Sequence, residues 1–341
     1  MKHSTFYIAI VSVVSIALIG FACWHNTPLY FEVPKSFPKP VYDFQKNPLT
    51  EEGFQLGRNL FYDPILSKDN TISCASCHLQ QTGFAHVDHQ LSHGIDGKIG
   101  TRNALTIQNL AWAKNFMWDG GVNHLEVQPV NPITNASEMN ETLANVVVKL
   151  QQSEKYRALF EAAFGPQKIT GQLTLKALAQ FVVMLKTSNS KYDHVINGTE
   201  KFTDVEQKGY ALFRQNCASC HQEPLFTNDK FENNGLTPDS TLNDIGRMRI
   251  TQKSADYLKF KVPTLRNIQF TFPYMHDGRF KTLNEVVNHY NSGVLQQKTL
   301  SAKLKKPLHL SDNERTEIVA FLKTLTDREF LFNPALGYPR N

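Results

Sequence analysis

The chain has 341 residues, 41% of them hydrophobic and 20% charged, with a formal net charge of +5, which allows two modest domains with proper cores. So small a charge, without a long basic run, gives no footprint for nucleic acid and no polybasic membrane patch.

The N-terminus sets Lys2 ahead of an apolar run from Phe6 to Trp24, the positive-then-apolar order of an export signal. Residues 1–25 therefore read as a signal peptide or an N-terminal membrane anchor, and the protein as exported, with the periplasm as its compartment. Cys23 leaves lipid attachment as a lipoprotein open, although Gly20-Phe21-Ala22 fit that signal poorly. Residues 26–48 are proline-rich and aperiodic and read as a linker or strapping arm. Thr50 is a helix-start residue ahead of Gly57-x-x-Leu60-Phe61. The pentapeptide Cys74-Ala75-Ser76-Cys77-His78 follows. A helix is predicted between Leu143 and Phe164, ended by Gly165-Pro166. Next, Leu175, Leu178, Val182 and Leu185 share one helical face.

The same order then repeats. The capping box Thr203-x-x-Glu206 precedes Gly209-x-x-Leu212-Phe213 and Cys217-Ala218-Ser219-Cys220-His221, and Ser311-x-x-Glu314 opens a helix carrying Ile318, Phe321, Leu322 and Leu325. The two copies divide the chain into domains at 49–198 and 199–332, with a tail at 333–341. No strand alternation competes, so the fold class is all-α.

In Cys-x-x-Cys-His, two thiols one helical turn apart can add to the two vinyl groups of a haem while the adjacent imidazole takes the iron. Zinc wants a fourth protein ligand, and neither motif has a second Cys pair or a His-x-His beside it. A disulfide gives no reason for a histidine to follow both pairs. Cys74, Cys77, Cys217 and Cys220 therefore bind two covalent haem c groups, with His78 and His221 as proximal ligands. The architecture becomes two tandem cytochrome c-like domains whose long Gly-, Pro- and Asn-rich loops wrap the cofactors.

Arg102-Asn103-Ala104-Leu105-Thr106, Phe116-Met117-Trp118-Asp119-Gly120, Pro132-Ile133 and Ser137-Glu138-Met139 resemble segments of the bacterial di-haem cytochrome c peroxidases and the MauG group. So do Phe260 to Asn267 and Pro273-Tyr274-Met275-His276-Asp277-Gly278, and the likeness runs from about Asn47 to Phe330. It implies hydrogen peroxide as substrate. The distal acid–base residue of those proteins, twenty positions after the Trp-Asp-Gly tryptophan, corresponds to Glu138. Without the resemblance, Glu138 would read as a helix-cap carboxylate. Gln128 and Pro132 match pocket residues of the MauG type, and Trp118 matches the residue between the two haems, a site for electron hopping. Asn103, Thr271 and Pro273 look like calcium ligands, the last two through backbone carbonyls.

The distal positions set the subtype. Where the peroxidases carry a histidine, eight residues before Asn103, this chain has Ile95, so the first iron is expected to be open; His93, His89 and His86 stand nearby as substitutes. At the methionine position of the second haem stands Tyr290, as in MauG-type proteins, with Met275 as rival ligand and His276 as a propionate partner or turn residue. Thioether ligation raises a haem potential, whereas phenolate suits higher oxidation states.

The leading function is reduction of peroxide at the first haem, with electrons from a small redox protein or a quinol pool passed through the second. Peroxide-dependent oxidation of a partner's side chain and plain electron carriage are the alternatives. Homodimerisation and membrane attachment through the N-terminus stay open.

Overall fold

The computed structural model describes residues 26–340; the export segment and Cys23 lie outside the described residues. Helix α1 (Glu51–Tyr62) starts where Thr50 Oγ1 accepts the Gly53 N–H at 3.0 Å. The short α2 (Cys74–Cys77) carries the first haem motif, and α3 (Val130–Thr134) leads to the loop holding Glu138. The helix expected across 143–164 is two helices, α4 (Leu143–Gln152) and α5 (Glu154–Phe164). Ser153 separates them because its backbone is extended while its hydroxyl caps α5; a serine that bonds the backbone two or three residues ahead competes with helix continuation. Thr142 is the cap of α4, which removes helix capping as an explanation for Glu138.

The first half closes with α6 (Gly171–Val183), followed by α7 (Lys191–Ile196). The second half comprises α8 (Asp204–Asn216), α9 (Met248–Thr251), α10 (Leu283–Asn288), α11 (Asp312–Lys323) and α12 (Arg328–Phe332), with both predicted capping boxes formed. Among the described residues the sheet is two short antiparallel strands, β1 (Phe231–Glu232) and β2 (Phe260–Lys261), pairing Phe231 with Lys261.

The helical repeat is physical. A Cβ on Gly57 would lie 2.0 Å from the Ala177 carbonyl oxygen, and one on Gly209 would lie 1.9 Å from that of Glu317, so α1 crosses α6 as α8 crosses α11, at a point only glycine allows. Beyond each motif, the Asn109 N–H donates to the Leu185 carbonyl at 2.8 Å and the Asn267 N–H to that of Leu325 at 2.9 Å. The turns Phe116–Val122 and Tyr274–Phe280 also match: Met117 and Met275 take φ of +67° and +76°, and Gly120 and Gly278 close them at +69° and +67°.

Two apolar cores result, and they cross the sequence boundaries. Phe54, Phe61, Tyr156, Phe160, Leu178 and Phe181 build the first, joined by Phe330, Leu331 and Leu336 from the far end of the chain. Phe213, Phe226, Leu283, Ile318 and Phe321 build the second, joined by Tyr192 from before residue 199. The stretch read as a tail is held by Arg58, which donates to the carbonyls of Pro334 and Gly337, and by Tyr62, which donates to that of Leu336. The 26–48 arm lies on the first core, where Trp112 Nε1 donates to the Pro38 carbonyl at 2.7 Å.

The halves are joined by buried polar contacts. Arg102 bonds Asp119 at 2.6 Å and Asp244 at 2.7 and 2.8 Å. Arg266, fully buried, makes a two-pronged pair with Asp193 at 2.8 Å while its guanidinium lies over Phe37 of the arm and Phe226 of the second core. No helix among the described residues is long and apolar enough to cross a membrane.

Candidate haem sites

Each Cys-x-x-Cys-His opens on its own cavity. The first, about 580 Å³, is lined by Cys74, Cys77 and His78 and walled by Phe61, Leu178 and Val182 from α1 and α6. His78 Nδ1 lies 2.9 Å from the Phe84 carbonyl, which takes the ring's N–H and leaves Nε2 for a metal. Phe84 reaches this position by adopting φ of +57°. The second cavity, about 1520 Å³ including its open mouth, is lined by Cys217, Cys220 and His221. There His221 Nδ1 lies 3.1 Å from the carbonyls of both Phe226 and Pro263. Burial pushes the His221 pKa down to about 4, so the imidazole is neutral, the form that ligates iron. All four thiols are free, and no group of three or more His, Cys, Asp or Glu among the described residues is arranged to hold a metal ion. Unpaired thiols on a helical turn, a buried imidazole with one nitrogen satisfied and an apolar cavity beside them fit haem and do not fit zinc.

Glu138 enters the first cavity together with Gln128 and Pro132. Burial raises its pKa, while a 2.8 Å hydrogen bond from Asn135 Nδ2 to Oε1 works against the shift. Asn135 is itself fixed, its Oδ1 accepting the Ser137 N–H at 3.0 Å. Sequence reasoning missed this residue; its signal is an Asn three positions before the glutamate, able to form an Asx turn and still reach the carboxylate.

The structure separates the two residues considered for the distal side of the first haem. Ile95 is buried outside the cavity, its N–H bonded to the Glu138 carbonyl at 2.9 Å, and His93 lines the cavity in its place. His93 lies ten positions before Asn103, just ahead of a turn closed by the Gly94 N–H on the Lys98 carbonyl. Gly94 makes the approach possible, since a Cβ there would sit 2.2 Å from the Ser137 carbonyl oxygen. His93 Nδ1 is buried without a hydrogen-bond partner. The His93 ring packs on exposed His89 at 4.1 Å between centroids, and His89 packs on His86 at 5.2 Å.

Trp118 lines the second cavity, is 9% exposed and donates Nε1–H to the Asn103 carbonyl at 2.9 Å. Asn103, Thr271 and Pro273 line the same cavity. The Asn103 Nδ2 donates to the Pro273 carbonyl, while its Oδ1 is buried with no partner. Tyr290, Met275 and His276 are all in this cavity as well. Tyr290 lies in a π-helical turn, His289–Gly293, that continues α10, a departure from α geometry often found at functional sites. Burial pushes its phenol up to about 12, opposed by the Asn234 side chain. His276 stacks on Phe260 at 3.7 Å. Asn234 was not singled out from the sequence, and its reach of 56 positions to Tyr290 leaves no local signal.

Two haem-attachment sites in tandem helical domains define a di-haem c-type cytochrome. Residues 51–201 match the family model for di-haem cytochrome c peroxidases and residues 206–326 that for cytochrome c. The methylamine utilization protein MauG of Methylophilus methylotrophus is 34% identical over 93% of this chain and 94% of its own length. The cytochrome c551 peroxidase of Nitrosomonas europaea is 37% identical over 84% of each. Among solved structures, a MauG-like protein associated with microbial copper homeostasis superposes with a TM-score of 0.84 at 32% identity, over 91% of this chain and 99% of that one. The chain belongs to the di-haem cytochrome c peroxidase and MauG family, and its cofactors are two c-type haems.

Proposed function

We propose that this protein reduces hydrogen peroxide to water at the first haem, H₂O₂ taking two electrons and two protons to give two waters, with the electrons relayed through the second haem. The haem iron, when bound, supplies the electrons to the O–O bond. What the chain supplies is proton control. Glu138, set in an apolar cavity and held by Asn135, is positioned to take the proton from one peroxide oxygen and return it to the departing one, and burial raises its pKa, the direction that helps a carboxyl hold and return a proton. This placement of Glu138 beside His78 in one cavity is the observation that carries the reading. Gln128 and Pro132 narrow the cavity and limit water, and His78 and His221 hold the irons. Trp118, an oxidisable ring on the wall of the second cavity, is the candidate relay. A small redox protein or quinol is the electron donor class, in an exported protein.

His93 is the candidate to cap the first iron at rest, which would make peroxide entry depend on its displacement. A calcium ion suits the Asn103 site. Turning the carboxamide over would aim two carbonyl oxygens, those of Asn103 and Pro273, at one point, favourable only with a hard cation between them.

Changing Glu138 to Gln keeps the shape and removes proton transfer. Stopped-flow absorbance of the first haem on mixing with peroxide is expected to slow by about 10²–10⁴, at unchanged haem content. A rate close to that of the unaltered protein would assign the proton to another group, His93 first. A second reading, peroxide-driven oxidation of a partner protein's side chain, is favoured by Tyr290 in the second cavity and by the MauG relatives. Peroxide reactivity of the fully oxidised protein favours that branch; a requirement for half-reduction favours the peroxidase.

A further inference from the structure

Two side chains in the second cavity could serve the iron opposite His221, the Tyr290 phenol and the Met275 thioether. They belong to different chemistries, since a thioether stabilises reduced iron and a phenolate oxidised iron. One residue reaches both. Asn234 Nδ2 donates to Met275 Sδ at 3.3 Å, and Asn234 lines the same cavity as Tyr290, whose phenol its side chain holds down against the effect of burial. The orientation of its carboxamide is set, because Oδ1 accepts the Leu236 N–H at 3.4 Å and leaves the N–H₂ end for the sulfur. Its backbone is tied to the ligand segment too, with the Asn234 carbonyl 2.9 Å from Nε2 of His289, the residue before Tyr290.

The strand end around it is rigid. Asn233 is 1% exposed and its amide bonds Gln297 and Thr299 at 2.7 and 2.9 Å. Gly235 holds φ of +72°, where a Cβ would meet Val294 at 2.6 Å. Met275, for its part, sits at φ of +76° in a closed turn, which fixes its backbone, while its flexible side chain leaves the sulfur free to reach elsewhere once the Asn234 amide is removed. A thioether is only a weak acceptor, yet its lone pairs are also what it would offer a metal.

We infer that Asn234 is a positioning residue that selects the distal ligand of the second haem, holding the Met275 sulfur away from the iron and leaving the site to the Tyr290 oxygen. The inference rests on the reading of Tyr290 as that ligand. It makes the potential of the second haem depend on an amide that is bonded to one candidate ligand and shares a cavity with the other.

The test uses the di-haem holoprotein and its Asn234→Leu, Met275→Leu and doubly substituted forms, read by resonance Raman, magnetic circular dichroism and spectroelectrochemistry of the second haem. Phenolate-to-iron signatures are expected in the unaltered protein and in Met275→Leu. Asn234→Leu is expected to move most of the second haem to thioether ligation with a raised midpoint potential, and Met275→Leu added to it should restore the phenolate signature. Asn234→Leu with the signature and potential of the unaltered protein would overturn the inference while leaving Tyr290 in place. Tyr290→Phe without spectral change would instead overturn the Tyr290 reading. Should Asn234→Leu not load haem, Asn234→Ala, which also removes the donor, carries the same expectations.

Discussion

Glu138 and Asp193 are both carboxylates shielded from water, and their partners send them in opposite directions. At Glu138 burial prevails over one amide hydrogen bond and the pKa rises. At Asp193 burial also pushes upward, but the two-pronged Arg266 pair, with hydrogen bonds from Ser190, outweighs it and the pKa falls. For Glu138, a base that must be ionised to take a proton, the peroxide step should accelerate as pH rises through a value above the ordinary carboxylate range. Stopped-flow rates against pH would show that limb, and Glu138→Gln should lack it. For Asp193 the depressed folded-state value means the pair's stabilisation is fully present above the unfolded pKa of about 3.9 and is lost as pH falls through the folded value. Asp193→Asn leaves a buried guanidinium half-paired, a change commonly costing about 3–5 kcal/mol. Denaturant unfolding near neutral pH should show that loss, and the gap between variant and unaltered protein should narrow in acid.

The paired helix crossings are the elements on which each haem cavity is built, since α1 and α6 wall the first and α8 and α11 border the second. Gly57→Ala would press a Cβ on the Ala177 carbonyl and Gly209→Ala on that of Glu317, each overpacking its own crossing by about 1–3 kcal/mol. Thermal melts followed at haem-specific wavelengths should show Gly57→Ala lowering the transition of the first haem and Gly209→Ala that of the second. A uniform loss at both haems would mean the halves do not behave as separate packing units. These helices were legible in the sequence because their signals are local: Thr50, Thr203 and Ser311 cap the helices they announce, and the apolar faces of α6 and α11 are buried. The Ser153 break was less visible, since apolar periodicity runs through it and only the hydroxyl's choice of partner ends the helix. Loop residues were legible by type and not by register. His93 and not Ile95 lines the first cavity, ahead of the turn at Gly94–Lys98, and the left-handed Met117 and Met275 are imposed by the turns that hold them. Asn135 left a local signal in its spacing from Glu138, whereas Asn234 meets its partners only through the fold.

For the molecule as a whole, contacts distant in sequence decide which half a residue serves. Leu336 completes the first core and Arg58 and Tyr62 hold the backbone around it. Ending the chain at Phe332 would remove these contacts and open a gap beside α1, the kind of core loss worth about 2–5 kcal/mol for a buried leucine. Thermal melting should then be lowered at the first haem with the second little changed; equal loss at both would place the segment's role elsewhere. The long-range ion pairs, Arg102 with Asp244 above all, had no counterpart in the sequence reading because nothing in a linear chain pairs residues 142 positions apart. The returning segment bears finally on how the protein is made. On a ribosome, residues 330–336 emerge after both Cys-x-x-Cys-His motifs, so the domain begun first is finished last. Until those residues are made, Cys74, Cys77 and His78 belong to an unfinished core, and their thiols stay open to a haem before the domain is sealed around them.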